Sequence, residues 1–237
     1  MGPVICLVTD RRRYGDGSED DVVARARAAA EAGVHLIQIR ERDLEAGVLG
    51  RLVSRCVEAV RGTRTRVLVN DRIDIALAAG AHGVHLPADG VPAERVRAKT
   101  PAGFIIGRSV HGPEEAVSVA RAGAVDYLIF GTVFPTASKP GVMAVGVKPL
   151  QRAASVVSVP ILAIGGVTFT RMRELAQSGA SGFAAIGLFA GADSSVMLRN
   201  VVRQASIAFD TLQPDSRLLA SDSRGKPEVG SLKPDDG

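Results

Sequence analysis

Tryptophan is missing from this 237-residue chain, and aromatic side chains of all kinds make up 4% of it. A surface that stacks on nucleic-acid bases needs aromatic platforms, so this scarcity argues against one. Cysteine occurs twice, at Cys6 and Cys56, each inside an apolar segment and at a spacing that fits no zinc pattern. Buried free thiols in a reducing cytosol are the simplest reading. No apolar run reaches the ~18 residues of a membrane span. Arg11 to Arg13 and several acids follow the first short apolar run, which is not the layout of a signal peptide. These absences together predict a cytoplasmic protein without a membrane or nucleic-acid partner, and leave a homo-oligomer open.

What is present is a globular composition, 46% hydrophobic and 23% charged. The net charge of +4 suits anionic small substrates. Short runs rich in β-branched residues alternate with longer stretches of helical periodicity. The runs are Val4 to Val8, Leu36 to Arg40, Arg66 to Asn70, Gly83 to Leu86, Phe104 to Gly107, Tyr127 to Gly131, Ile161 to Ile164 and Phe183 to Ile186. Several are apolar at nearly every position, as parallel strands buried on both faces must be. Between them lie segments such as Asp20 to Ala32, Ala46 to Arg61 and Pro113 to Ala122, with apolar residues at helical spacing. Eight strand–helix alternations predict an α/β fold, a single (β/α)8 TIM barrel. Gly33, Gly80, Gly123 and Gly179 each end a helix just before an even-numbered strand, the pattern of a barrel built from double units. From Asp210 the pattern stops. Residues 210–237, rich in Asp, Ser, Pro, Gly and Lys, read as a disordered tail behind a barrel of residues 1–209.

In this fold function sits at the carboxyl ends of the strands. Alternation beyond the second strand puts Gln38, Arg40 and Arg42 on one side. Two guanidiniums in one pocket call for an anion between them, such as phosphate or pyrophosphate, unless Glu41 or Asp43 pairs with them. Asn70 and Asp71 end the third strand, as ligands for Mg²⁺ or as caps for the next helix. Ser109 and His111, two apart, can both face the barrel mouth, and a histidine there can move protons. His35, His82 and His85 fit a purely structural role better, because they lie at strand starts or inside strands. Gly165-Gly166, in a segment from Ile164 to Thr168 that opens the helix after the seventh strand, and Ile186-Gly187 after the eighth offer backbone amides to a phosphate. The segment from Phe134 to Gly141 carries Thr136, Ser138 and Lys139, either to close over phosphate oxygens or as an ordinary loop.

These motifs, in this order, carry a resemblance. Gln-Ile-Arg-Glu-Arg from Gln38, VNDRIDIALAAGAHGVHL, IIGRSVHGPEEA, DYLIFGTVFPTASKPG, PILAIGGVT and the glycine after the eighth strand are similar to the thiamine phosphate synthase / thiazole tautomerase superfamily, over about Val4 to Ala192. For a synthase the resemblance implies a transferase that joins an aminopyrimidine pyrophosphate to a thiazole phosphate and releases pyrophosphate. Gln38 would then hold the pyrimidine, and Arg40, Asn70 and Lys139, with Arg42 beside them, the pyrophosphate. Asp71 would hold Mg²⁺, and Ser109 would sit at the reacting region. Thr136, Ser138, Gly165, Gly166, Ile186 and Gly187 would bind the thiazole phosphate. Two positions depart from the pattern: Arg42 stands where the synthase has Lys, and Gly90 where it has a second Mg²⁺-binding Asp, with Asp89 one residue earlier. In the tautomerase branch His111 would be the acid/base of an isomerisation. A non-catalytic binder of thiazole or thiamine phosphates is the third reading.

Overall fold

The computed structural model describes residues 2–13, 15–136, 141, 143–192 and 194–210. Ser138, Lys139 and the segment from 211 onward, on which several of the expectations above fall, lie outside them. In chain order the elements are β1 (Val4–Val8), α1 (Glu19–Glu31), β2 (Leu36–Ile39), α2 (Ala46–Ala59), β3 (Arg66–Asn70), α3 (Ile73–Ala78), β4 (Gly83–Leu86), α4 (Ala93–Arg97) and β5 (Ile105–Val110). There follow α5 (Pro113–Arg121), β6 (Tyr127–Gly131), α6 (Val147–Ala154), β7 (Ile161–Ile164), α7 (Met172–Gln177), β8 (Gly182–Ala185), α8 (Gly187–Ala190) and α9 (Ser195–Asp210). Each strand pairs in parallel with the next, and β8 returns to β1 through Val4↔Gly182 and Cys6↔Ala184, closing the barrel. Asp210, read as the first residue of a tail, is the last residue of α9.

Strand periodicity separates two cores. Ile5, Leu7, Ile37, Ile39, Val67 and Val69 face outward and pack with the apolar stripes of the helices. Cys6, Val8, Leu36, Leu68, Tyr127, Ile129, Leu162 and Ala184 face inward and fill the barrel. Both cysteines are free and buried, and burial pushes each thiol up to about 12. They are packing residues. Local chemistry starts the helices where the pattern placed them. The Ser18 hydroxyl accepts from the Asp21 amide and caps α1, whose first turn holds Glu19, Asp20 and Asp21 against the positive end of the helix dipole. The four repeated glycines adopt positive φ as anticipated, from 67° at Gly80 and Gly123 to 90° at Gly33.

The run ending at Gly107 was too short a reading of β5. Glycine there is an interior position, not a stop: a Cβ at Gly107 would lie 2.1 Å from the Tyr127 ring. The missing side chain gives Tyr127 its place inside the barrel, and β5 continues past it to carry Ser109 toward the mouth.

Candidate active site

The inward-facing register that holds Leu36, Leu68, Tyr127 and Leu162 delivers Gln38, Asn70, Ile129 and Ile164 one pleat higher. Above this layer the carboxyl ends of the strands enclose a cavity of about 1000 Å³. That is the upper end of small-molecule sites and leaves room for two modest ligands side by side. Gln38, Arg40, Arg42, Asn70, Asp89, Ser109, His111, Thr136, Gly165, Gly166, Ile186 and Gly187 all line it. The structure thus brings together every described residue proposed from the sequence except Asp71, which stands exposed beside Asn70 and is not on the cavity wall.

Arg40 and Arg42 form no salt bridge among the described residues, and the reason lies in the neighbouring loop. Arg11 takes both acids that could have neutralised them: its guanidinium lies 3.2 Å from Glu41 and 2.6 Å from Asp43, and its backbone amide donates to Glu41 at 3.1 Å. Arg12 adds a second contact to Asp43 at 2.8 Å. Arg11 beside it holds the Asp43 carboxyl well below the usual carboxylate range. Arg11 and Arg12 therefore clamp two loops together, while Arg13 pairs with Asp10 at 2.9 Å and lines the cavity. Arg40 is left half-buried. Desolvation first, and Arg42 second, pull its guanidinium below the ordinary value, against weaker support from Asp10 and Glu41. A dianion between the two arginines would reverse both effects.

The Gln38 amide, 3% exposed, reaches the Asn70 carbonyl oxygen at 3.4 Å, so two side chains from adjacent strands form one polar shelf. Asp71 follows in the left-handed region at φ 65°, its amide donating to the His85 carbonyl at 2.8 Å. The capping role considered for Asn70 and Asp71 is not adopted: Arg72 occupies the cap position of α3, and no side chain caps the helix. Asp89 does line the cavity. Its loop is held from below by Arg108, which donates to the carbonyls of Ala88 at 2.7 Å and Val91 at 2.8 Å. This loop also explains Gly90. A Cβ there would lie 2.9 Å from the Pro87 ring, so the tight turn has no space for aspartate at position 90. Among the described residues no three acids, histidines or cysteines cluster to cage a metal.

The histidines divide. His35 and His82 each accept a backbone amide on Nδ1, from Ile5 at 3.2 Å and Val67 at 3.0 Å, the structural role expected of them. His85 does not share it. Its Nε2 lies 2.9 Å from the Ser109 hydroxyl and its Nδ1 3.0 Å from the Tyr127 hydroxyl, deep in the barrel. Burial, with Arg108 second, holds this imidazole down to about 3, and burial raises Tyr127 well above its ordinary value. Both stay neutral. His111 sits exposed at the mouth with Nδ1 2.5 Å from the Gly131 carbonyl. A carbonyl only accepts, so Nδ1 carries a proton, and the neutral form of this ring is the Nδ1–H tautomer.

At the opposite wall Gly165 and Gly166 adopt φ of 100° and 61°. A Cβ would meet Thr132 at 2.5 Å in the first case and the Pro135 carbonyl at 2.5 Å in the second. Only glycine fits this turn, which keeps backbone in the cavity wall free of side chains. The segment from Ile164 ends at Thr168, which caps a short 3-10 turn at Phe169–Arg171 that leads directly into α7. Gly187 does begin α8. The sequence pattern did not single out Arg171, which lines the cavity, donates to the Gly166 carbonyl at 2.8 Å and stacks 4.5 Å above the Phe134 ring. Nor did it point to Met197, Asn200 and Val201, by which α9 closes the same wall.

Residues 5–189 match the thiamine monophosphate synthase family. The chain is 36% identical over 192 residues to a thiamine-phosphate synthase of Roseiflexus sp. (strain RS-1), covering 81% of this chain and 80% of the relative. It is 37% identical over 193 residues to that of Chlorobium luteolum, covering 81% and 87%. Among solved structures it resembles a thiamine phosphate pyrophosphorylase from Pyrococcus furiosus, with a TM-score of 0.74 and 28% identity, covering 89% of this chain and 96% of that one.

Proposed function

The chain belongs to the thiamine monophosphate synthase family, and from that premise we propose that it is a thiamine phosphate synthase, joining an aminopyrimidine methyl pyrophosphate to a thiazole phosphate. The bond from the pyrimidine methylene to oxygen breaks, pyrophosphate leaves with the electron pair, and the thiazole nitrogen forms the new C–N bond. The observation that carries this reading is the pair Arg40 and Arg42 in the cavity, with Glu41 and Asp43 held away by Arg11. Two unneutralised guanidiniums stabilise a leaving group whose negative charge grows in the transition state. Gln38 and Asn70 offer amide groups to the aminopyrimidine and the pyrophosphate beside them. The side-chain-free turn at Gly165-Gly166 and the amides at Gly187 receive the thiazole phosphate, with Arg171 adding positive charge. Ser109 lies between these two ends. Lys139 and Ser138, outside the described residues, belong to the same proposal through the family resemblance.

We extend the proposal to Mg²⁺. This cation needs only one or two carboxylates when a substrate supplies phosphate oxygens. Asp89 faces the cavity, and Asp71 stands at its rim with its amide tied to the His85 carbonyl at the end of the adjacent strand. These two acids fit that requirement, with Asp89 in place of the aspartate that Gly90 has no room for. When bound, the ion would neutralise further charge on the departing pyrophosphate. The two free buried thiols support a reducing, cytoplasmic setting.

Among the described residues no feature of the site favours the isomerisation over the condensation. The test is incubation of purified protein with both substrates and Mg²⁺, following thiamine phosphate. Product is expected to appear in wild type and to fall about 100-fold in Asp71→Ala. Equal output from the two proteins would remove Asp71 from the reaction, and no output above background from wild type would sink the synthase reading.

A further inference from the structure

We propose that Tyr127 fixes the tautomer of His85, so that Ser109 faces the substrate as a hydrogen-bond donor and His85 cannot draw its proton. A neutral imidazole has one N–H donor and one lone-pair acceptor. His85 is buried between two hydroxyls, with no carboxylate among its hydrogen-bond partners. The Tyr127 hydroxyl, in the barrel interior, has His85 Nδ1 as its sole hydrogen-bond partner among the described residues. Were Nδ1 protonated, Tyr127 would accept from it, and the phenolic proton would be left buried without an acceptor, at a cost of about 1–3 kcal/mol. The tyrosine therefore donates to Nδ1. Nε2 must then carry the proton and donate to Ser109 Oγ at 2.9 Å. That occupies a serine lone pair and frees the serine O–H, on a half-buried side chain at the cavity wall, to donate into the cavity.

A second observation shows that the tyrosine's position is built in. The space its ring fills exists because Gly107, on the neighbouring strand, lacks a Cβ; one there would come within 2.4 Å of the phenol oxygen. The direction of the chain runs Tyr127 to His85 to Ser109 to substrate. It is the reverse of a histidine-activated serine. His111, whose Nδ1 donates to the Gly131 carbonyl, has the opposite tautomer, so the cavity holds two histidines with opposite ring nitrogens protonated. Ser109 then recognises a lone-pair acceptor at the reacting end of the substrate, and Tyr127 and His85 are positioning residues.

The test has two arms. Long-range ¹H–¹⁵N correlation NMR of the substrate-free protein, at mildly alkaline pH where imidazoles are neutral, is expected to show His85 protonated on Nε2 with Nδ1 bare. Tyr127→Phe should move both nitrogens toward a mixed population. A His85 protonated on Nδ1 in wild type, or an unchanged His85 in Tyr127→Phe, would overturn the proposal. The kinetic arm rests on the synthase reading. Tyr127→Phe should lower kcat about tenfold with KM changed less than about twofold. In a Ser109→Ala background it should lower kcat by less than about twofold, because the effect passes through Ser109. A full tenfold loss in that background would mean that Tyr127 only supports the fold. An inactive wild type with the expected His85 tautomer would sink the synthase reading and leave the tautomer assignment standing.

Discussion

Removing the Arg40 guanidinium would leave Arg42 as the cation on the β2 side of the cavity. Arg40→Ala is expected to lower kcat/KM about 100-fold in the condensation assay, the usual scale for losing one donor to a developing oxyanion. Since Arg40 forms no salt bridge among the described residues, the melting temperature should barely move; a large drop would show a structural role instead. Gly90 gives the second residue-scale prediction. Gly90→Asp restores the acid found in the family pattern but drives a Cβ to 2.9 Å from the Pro87 ring. We expect it to lose about 1–3 kcal/mol in urea unfolding and to gain no activity. Higher activity with unchanged stability would show that Asp89 is not the replacement acid. His85 sets a pH dependence. Its folded value of about 3 lies below the ordinary 6.5. Between those values the unfolded chain binds a proton that the folded chain refuses. The stability is therefore complete above 6.5 and declines as pH falls toward 3. His85→Gln should flatten this slope by up to about 1.4 kcal/mol per pH unit, read from urea midpoints at several pH values; parallel slopes would contradict it. Arg40 and Gln38 were legible because strand alternation fixes which side they face. His85 was not, since a histidine inside an apolar strand reads as packing, and its partner Tyr127 lies 42 residues away.

At the scale of elements, the loop after β1 governs the loop after β2. Arg11 spans them, engaging Glu41 and Asp43, while Asp43 also meets Arg12. Arg11→Ala strips the guanidinium from Glu41 and Asp43, leaving Glu41 only a backbone donor and Asp43 only Arg12, and so returns negative charge toward Arg40 and Arg42. The expected result is a roughly tenfold rise in KM for the pyrophosphate substrate, with KM for the thiazole phosphate unchanged. A uniform loss for both substrates would mean that the loop collapses. This arrangement could not be read from spacing, because the sequence offered Glu41 and Asp43 as partners for Arg40 or Arg42 and held nothing to rank Arg11 above them. The strands themselves were legible where both faces are buried: β1, β3, β4, β6 and β7 begin and end where their apolar runs do. β5 failed at Gly107, where a missing side chain serves packing and breaks the apolar run without ending the strand.

At the scale of the whole molecule, closure of eight parallel strands places residues from β2, β3, β5, β7 and β8 around one cavity, and α9 adds a wall from the far end of the chain. The barrel was legible because its alternation repeats eight times. The contribution of α9 was not, since a helix that returns to the mouth leaves only an ordinary amphipathic pattern. Size and charge then agree: the cavity of about 1000 Å³ has cations on the β2 side and side-chain-free backbone at the β7 and β8 side, as a bimolecular condensation between two anions requires. The measurement that tests this most directly is a single-turnover incubation of the wild-type protein with both phosphorylated substrates and Mg²⁺, quantifying thiamine phosphate and pyrophosphate. One thiamine phosphate is expected for each pyrophosphate released, and neither product when the thiazole phosphate is omitted. Pyrophosphate released without thiamine phosphate, or no product from the complete mixture, would contradict the synthase reading.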